Sequence, residues 1–320
     1  MTDLHIPRLL NPKFIFKTLA CSFFLCISLS TPNLQADDGV LFEGYSKILN
    51  GGVPVGYIIT RYEFRPKDQR FYSTYFLKTG QLGSDITESL RAVAGKNLEP
   101  ISYEYTSIVG KETKVIDAKF AKKKMTAIVK TTPEKGPSKT ITIREDLPKG
   151  AFLSTFLVYL MLKSDKGIQT ESKYKYTAIA EEDAKVLEGE ALVGKQEKYN
   201  GFQTFKIFNR FKDARFVSYV TDRGEVLATS SPATGIATEL MAKPSEATGS
   251  FPVSSTILKN LFGDVPIGTN NAVSKKLKLE ALPPPPPPTN PKQEGVPQNQ
   301  GIILKAQPKI PAAPAQPEGK

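Results

Sequence analysis

The stretch VGYIITRYEFRPKDQRFYSTYFLKT, residues 55–79, decides the fold class. Two runs rich in β-branched and aromatic residues flank the turn-forming sequence PKDQ, as they do in a β-hairpin. Tyr57 and Ile59 point to one face of the first strand and Tyr62 to the other, because side chains alternate along a strand. An antiparallel sheet with one wetted face alternates apolar with polar residues. The stretch therefore predicts a sheet covered on both faces, by a helix, a second sheet or a ligand.

Comparable runs, separated by turn-forming clusters, continue to about residue 231. Asn200 and Gly201 form a typical two-residue hairpin turn between two of these runs. The sequence SDITESLRAVAGKN, residues 84–97, suits a helix as well, and we interpret residues 86–94 as a strand. The patterns give about eleven strands. A sheet of that size curls, so we predict a mainly β fold with one large curved antiparallel sheet, a half-barrel or barrel.

Residues 151–163, AFLSTFLVYLMLK, interrupt the series of strands. They show no alternation and are apolar nearly all round, which is typical of a buried helix. A membrane span needs about 20 apolar residues, so this segment is too short to be one. We therefore predict one main helix over about 151–163, buried against the sheet.

Residues 1–36 have the pattern of a secretory signal peptide, with three basic residues before a short apolar run at 18–29. We expect cleavage near Ala36 and a periplasmic location. A retained membrane anchor is the alternative, but a run of about 12 residues is short for a span. Lipidation is a second alternative. It is disfavoured because Cys21 and Cys26 lie too early for a lipoprotein signal.

Loss of residues 1–36 would also remove both cysteines and His5, the only histidine, from a chain that has no tryptophan. The remaining chain would have no nucleophile–histidine pair, no disulfide and no zinc site of the common type. The sequence EED at 181–183 groups three carboxylates in a turn, where such residues are normally solvated. We therefore predict a non-enzymatic protein with no catalytic residue, metal or cofactor. An enzyme that uses only carboxylates, tyrosine or lysine is the least favoured class.

Several turns and strands resemble those of a known family. The matching stretches cover about residues 41–247 and are GGVPVGYIITRYEF, KNLEPISYEYTS with VIDAKFAKKKM, and GFQTFKIFNRF with RFVSYVTDRGEVLATSSPATGIATEL. They resemble a family of exported Gram-negative domains of unknown function, found alone or ahead of transglutaminase-like domains. The resemblance implies a curved antiparallel sheet that embraces helices, similar to the half-barrels of lipoprotein carriers. It implies no catalytic residue, and no transglutaminase-like domain follows in this chain.

The C-terminal part changes in composition. Within 250–280, a connector in our interpretation, STILKNLF suits one short helix with Leu258, Leu261 and Phe262 on one face. Residues 281–320 are rich in proline, lysine and glutamine, and we predict a disordered tail that begins with a rod of six prolines. The predicted organisation is a signal peptide (1–36), a β-rich half-barrel domain (37–249), the connector (250–280) and the tail (281–320).

One apolar island, GIILKA, interrupts the tail at residues 301–306. Such a hexamer in a polar tail is usually a chance feature. The alternative is a docking motif that adds a strand to the sheet edge of a partner. The residues that would make this contact are Ile302, Ile303 and Leu304.

The chain carries a net charge of +11, of which residues 1–36 contribute +2. The lysines are dispersed and no phosphate-binding loop accompanies them, so we predict no nucleic-acid partner. A charged hairpin tip is the simplest interpretation of AKKKM, residues 121–125, with contact to lipid headgroups as the alternative.

Two functions fit these features. The first is a carrier that holds a lipid or another amphiphile against the apolar second face of the sheet. The second is an envelope scaffold that docks a partner through its tail and its sheet edge. Tyrosines on strands also pack against one another in cores, which is the structural alternative to ligand binding. The candidate ligand-binding residues are Tyr57, Ile59, Tyr72, Phe76, Tyr103 and Tyr105.

Overall fold

The computed structural model describes residues 39–80, 85–164 and 166–281. The predicted signal peptide and the predicted docking residues Ile302, Ile303 and Leu304 lie outside these ranges. The described residues form a single sheet of fifteen strands, which confirms the mainly β fold with one large sheet. The strands are β1 (Val40–Asn50), β2 (Val53–Arg65), β3 (Arg70–Thr79), β4 (Ile86–Gly95), β5 (Pro100–Val109), β6 (Glu112–Ala121), β7 (Lys124–Thr132), β8 (Lys139–Asp146), β9 (Phe152–Leu153), β10 (Lys173–Ala180), β11 (Lys185–Tyr199), β12 (Phe202–Phe211), β13 (Ala214–Val220), β14 (Val226–Ser231) and β15 (Ile236–Met241).

The sheet is a meander in two arms. One arm runs from β8 back to β1, the other from β15 back to β9, and each strand lies beside its neighbour in sequence. The arms join where β1 pairs with β15, antiparallel, with Tyr45 opposite Met241. Every pairing is antiparallel except that of β9 with β10, which is parallel.

Curvature brings parts of the two arms together. The Glu145 carboxylate at the end of β8 accepts a hydrogen bond from the Val186 N–H in β11, at 3.3 Å. Lys114 in β6 donates to the carbonyl of Glu182, between β10 and β11, at 2.6 Å. Side chains of the first arm thus contact the turn of the second arm, as the predicted half-barrel requires.

The predicted helix at 151–163 is shorter than expected. Phe152 and Leu153 form β9, Ser154–Phe156 form one turn of 3-10 helix, and the α-helix α1 covers only Leu157–Leu162. Phe152 and Leu153 are extended because β10 offers them free backbone groups. They pair with Ala178 and Ile179 of β10. The predicted burial against the sheet is confirmed. This inner face of the sheet, which α1 contacts, carries the main hydrophobic core, with Phe152, Leu153, Phe156 and Met161 among its buried side chains.

The opposite, outer face of β1–β3 is also covered. The helices α2 (Pro244–Thr248) and α3 (Ser255–Phe262) pack there through Ala247 and Leu258. The Oγ of Ser254 caps α3 by accepting the Ile257 N–H at 3.3 Å, and Gly263 ends α3 at a positive φ of 89°. The segment predicted as a short helix within a connector is therefore a helix that shields the sheet.

A last helix, α4, covers Ala272–Glu280. The described chain divides into a compact unit that ends at Lys275 and a second unit that begins at Lys276. Residues 250–275 thus belong to the same unit as the sheet. None of the helices in the described ranges combines the length and the apolar character that crossing a membrane would need.

Candidate functional site

The six predicted ligand-binding residues lie on two different faces of the sheet. Tyr103 and Tyr105 in β5 belong to the inner core that α1 contacts. Tyr57 and Ile59 in β2 and Phe76 in β3 belong to a separate cluster on the outer face. Tyr72 lies in neither cluster. The sequence correctly assigned the alternation, but one continuous ligand surface does not result.

Helices of this chain cover the outer cluster. The Tyr57 ring lies 6.1 Å from the ring of Phe76 and 6.4 Å from that of Phe251, between centroids. The Tyr57 hydroxyl donates to the carbonyl of Pro252 at 3.1 Å. Burial raises the pKa of Tyr57 to about 12, so the hydroxyl keeps its proton near neutral pH. The space in front of these residues is occupied by α3 and the segment before it.

The inner cluster is filled in the same way by β9, the 3-10 turn and α1. Tyr103 is 1% exposed, and burial raises its pKa well above the usual range. Its hydroxyl has no hydrogen-bond partner among the described residues. The cavity between α1 and strands β12–β14 measures about 190 Å³. Binding pockets for small molecules usually measure about 300–1,000 Å³, so this cavity is small for a lipid.

Glu181, the first residue of EED, is buried rather than solvated, contrary to the prediction for that turn. Its carboxylate accepts hydrogen bonds from the Ser154 hydroxyl at 2.5 Å and from the Thr155 N–H at 3.1 Å. Burial raises the pKa of Glu181 to about 7, against the lowering effect of these bonds. Glu181 therefore holds the 3-10 turn inside the sheet. Its neighbours Glu182 and Asp183 are partly exposed and pair with Lys212.

A buried ionic network on the outer face was not predicted from the sequence. The guanidinium of Arg61 contacts the Glu43 carboxylate at 2.5 Å and the Asp264 carboxylate at 2.7 Å. Glu43 also accepts the Gly268 N–H at 2.5 Å. The sequence did contain a signal for this network. Arg61 is four residues from Tyr57 and two from Ile59, so it lies on the same covered face of the strand. The network fastens the segment after α3 to β1 and β2.

Tyr72 lines an open groove beside the end of α3, with a volume of about 420 Å³. The guanidinium of Arg65 stacks over the Tyr72 ring at 4.0 Å, and the Tyr72 hydroxyl donates to Asp68 at 2.8 Å. Carboxylates and cations alternate along the groove, so it is polar rather than lipid-like. Of the six predicted ligand-binding residues, Tyr72 and Tyr103 contribute to the lining.

A larger groove, of about 760 Å³, borders the half of β10 that β9 leaves unpaired. Lys149, Lys175, Arg210 and Lys212 line it, together with Leu160 of α1. Arg210 is paired with Glu190 at 3.2 Å, whereas Lys149 and Lys175 form no ion pair within the described residues. The groove combines basic side chains with an apolar residue.

The strand β8 gives the sheet a free edge of eight residues. Leu147 N–H donates to the carbonyl of Lys123 at 2.8 Å, which makes the pair of residues 123 and 147 a hydrogen-bonded pair. Hydrogen-bonded pairs alternate along an antiparallel ladder. Backbone groups of Thr140, Thr142 and Arg144, opposite residues 130, 128 and 126, therefore point away from β7. No described residue forms a backbone hydrogen bond with this free edge.

Within the described ranges, no group of three or more His, Cys, Asp or Glu side chains is arranged to hold a metal ion. Among the described residues, the two grooves and the free edge of β8 are open to a partner or ligand.

No protein-family model matches the chain, and no curated protein matches it. Among solved structures, the chain is similar to a crystal structure of a beta-barrel-like protein of the domain of unknown function DUF1849 from Brucella abortus. The two are 12% identical, with a TM-score of 0.43. The match covers 63% of this chain and 97% of that chain.

Proposed function

We propose that the protein is a non-enzymatic scaffold of the periplasm, which binds an extended segment of a partner protein along the free edge of β8. The free edge is the observation that carries the proposal. An exposed edge presents a row of unpaired N–H and C=O groups, to which another chain can add a strand. Natural sheets usually protect such edges with proline, bulges, covering segments or charged side chains. Within Lys139–Asp146, β8 has no proline and no bulge, it carries charged residues such as Lys139 and Arg144, and Glu145 contacts the Val186 N–H of the other arm.

The side chains of β8 define the segment that would fit. Ile141 and Ile143 share the inner side of the strand, and Ile141 is 46% exposed. Lys139 and Arg144 are exposed, and Lys130 of β7 lies opposite Thr140. The partner segment would therefore place apolar residues beside the isoleucines and acidic residues beside the cations.

The covered faces support a scaffold over a carrier. The chain's own helices fill the inner and outer faces of the sheet, as described for Tyr57 and Tyr103. A lipid in the half-barrel would have to displace α1, which Glu181 fastens through Ser154 and Thr155.

Carriage of an amphiphile is the second candidate, and the groove beside β10 favours it. Lys149 and Lys175, which form no ion pair within the described residues, suit an anionic headgroup, and Leu160 suits the start of an acyl chain. Native mass spectrometry of protein purified from the periplasm without detergent tests this candidate. An adduct of lipid mass that Lys175→Glu removes would favour it, and a bare mass would exclude it in this form.

The scaffold is tested by photocrosslinking in cells of the native host. A photoreactive residue replaces Thr140 in two variants, one of which also carries Thr142→Pro and the other Thr142→Val. Proline there removes an N–H that points to the free edge and spares the ladder with β7, whereas valine keeps the N–H. We expect one discrete protein adduct with Thr142→Val that is lost with Thr142→Pro. An adduct that survives the proline, or no adduct in either variant, would contradict the proposal.

A further inference from the structure

Exposed lysines gather at one end of the first arm. Consecutive strands run in opposite directions, so the turns after β2, β4 and β6 lie at the same end of the sheet. They carry Lys67, Lys96, and Lys122 with Lys123. Successive turns at this end are separated by two strands, or about 10 Å.

Two further lysines extend this group. Lys163 follows α1, and its Nζ donates to the carbonyl of Asn97 in the turn after β4, at 3.2 Å. Lys149 lies just beyond Leu147, whose N–H donates to the carbonyl of Lys123. All six lysines are exposed. We call this group the basic rim: Lys67, Lys96, Lys122, Lys123, Lys149 and Lys163.

Carboxylates near the basic rim bond to other groups. Asp68 accepts the Tyr72 hydroxyl, Glu99 accepts the Asn97 N–H at 2.9 Å, and Asp146 pairs with Lys124 at 3.5 Å. Glu63 pairs with Arg65. None of the six lysines forms an ion pair within the described ranges. An external anion can therefore contact the six ammonium groups directly.

Two lysines at the opposite end of the first arm form local ion pairs. Lys111 pairs with Glu134 at 3.1 Å, and Lys78 pairs with Asp85 at 3.0 Å. The basic rim thus groups six lysines without ion pairs among the described residues at one end of the first arm.

In the turn between β6 and β7, the two lysines occupy positions where they lower the stability of the turn. Lys122 and Lys123 have φ angles of 50° and 63°, in the left-handed region. A two-residue hairpin turn with two positive φ angles strongly prefers Asn-Gly, because other residues are strained there. Backbone strain that persists in a fold points to a functional role for the residues that carry it. Lysine at both positions contributes charge rather than turn stability.

We propose that the basic rim seats the protein, end on, upon a membrane surface rich in anionic lipid headgroups. Lysines near such a surface attract it individually, and a row of them acts together. Large apolar side chains are not exposed in the turns at 66–69, 96–99 and 122–123. The contact is therefore electrostatic, without insertion into the bilayer, and it is sensitive to salt. This inference does not depend on the free edge of β8.

The test is sedimentation of the chain Asp37–Lys320, which contains every described residue, with lipid vesicles. Vesicles of phosphatidylcholine alone are compared with vesicles that contain about 30% phosphatidylglycerol, whose surface is strongly anionic. We expect binding to the anionic vesicles alone, and release as the ionic strength approaches about 0.5 M, where screening is strong.

The decisive variant combines Lys122→Asn with Lys123→Gly. It gives the turn its preferred residues and removes two charges, so binding to anionic vesicles should fall about tenfold or more. The melting temperature should rise by about 2–4 °C, which excludes misfolding as the cause of lost binding.

The matched control combines Lys135→Gln with Lys139→Gln, which removes two exposed charges at the opposite end of the first arm. It should bind within about twofold of the parent, because neither lysine belongs to the basic rim. Equal losses in the two double variants would overturn the proposal, since total charge alone would then explain binding. So would equal binding of the parent to neutral and anionic vesicles.

Discussion

Glu181 is the residue whose ionisation is coupled most directly to the fold. Burial raises its pKa to about 7, from a usual value of 4.5. Between these two values the folded chain retains a proton that the unfolded chain has released. The free energy of unfolding therefore falls as the pH rises from about 4.5 to 7, and this contribution is constant above that range. The same carboxylate holds the 3-10 turn, so the interior is held most firmly at mildly acidic pH.

Replacement of Glu181 by glutamine should remove this pH dependence. From pH 5 to pH 8 the free energy of unfolding of the parent should fall by about 2–3 kcal/mol more than that of Glu181→Gln. Urea titrations at both pH values measure the difference. Glu188→Gln is the control, since this residue is exposed and should leave the parent's profile unchanged. Parallel profiles for Glu181→Gln and the parent would show that Glu181 is ionised normally in the fold.

At the scale of elements, α3 acts as a cover for the outer face of the sheet. Leu258 is fully buried against the cluster that contains Tyr57 and Phe76, whereas its neighbour Ile257 is 47% exposed. Arg91 of β4 donates to the carbonyls of Asn260 and Leu261, which satisfies groups at the end of the helix. Packing and polar contacts thus act together to hold α3 on the sheet.

Truncation of the buried leucine should loosen this cover. Leu258→Ala should lower the free energy of unfolding by about 2–4 kcal/mol, because it removes apolar contacts and leaves a cavity. Ile257→Ala, on the same helix, should change it by less than about 0.5 kcal/mol. Equilibrium denaturation of both variants checks the difference. Similar losses for the two residues would mean that α3 packs in another orientation.

The alternation of side chains along strands made most strands predictable from the sequence. The exceptions were the edge strand β9 and the identity of the segments that cover the sheet. Residues 86–94 were assigned correctly as a strand, because Thr87, Ser89 and Arg91 lie on one side of β4 and Leu90, Ala92 and Ala94 on the other. Residues 152–153 were assigned to a helix, since the need of β10 for a backbone partner is not visible in local sequence. The alternation also placed Tyr57 and Tyr103 correctly on covered faces. It gave no means to distinguish a ligand from the chain's own helices as the cover.

At the scale of the whole molecule, the compact unit extends beyond the predicted domain boundary at residue 249. The ionic network of Glu43, Arg61 and Asp264 and the buried side chain of Asn271 connect the residues after α3 to β1 and β2. The contacts of Glu43 with Gly268 and Asn271 join residues more than 200 positions apart. They were invisible to a prediction based on composition, which separates segments where the pattern changes.

Truncated chains test whether the compact unit ends at residue 249, as predicted, or at Lys275, as in the structure. A chain that ends at Glu280 should melt within about 2 °C of the full chain, because the sheet and its outer cover remain. A chain that ends at Gly249 should melt at least 5 °C lower, since it exposes the cluster around Tyr57. For a domain of this size, a loss of about 1 kcal/mol in the free energy of unfolding lowers the melting temperature by about 2–4 °C. Calorimetry on both chains, each beginning at Asp37, measures the shifts. Equal melting temperatures would restore the boundary at 249.

The pairing of β1 with β15 has a consequence for how the chain reaches this fold. Every other pairing joins strands that are neighbours in sequence, and all of these except the parallel pair β9 and β10 can form as local hairpins, in microseconds. Joining the arms closes a loop of nearly the whole sheet, and such distant contacts slow folding. The bend at 147–151 is therefore a natural place to divide the polypeptide. Two separately produced fragments, cut there, should recognise each other through β1 and β15 and reconstitute the native sheet.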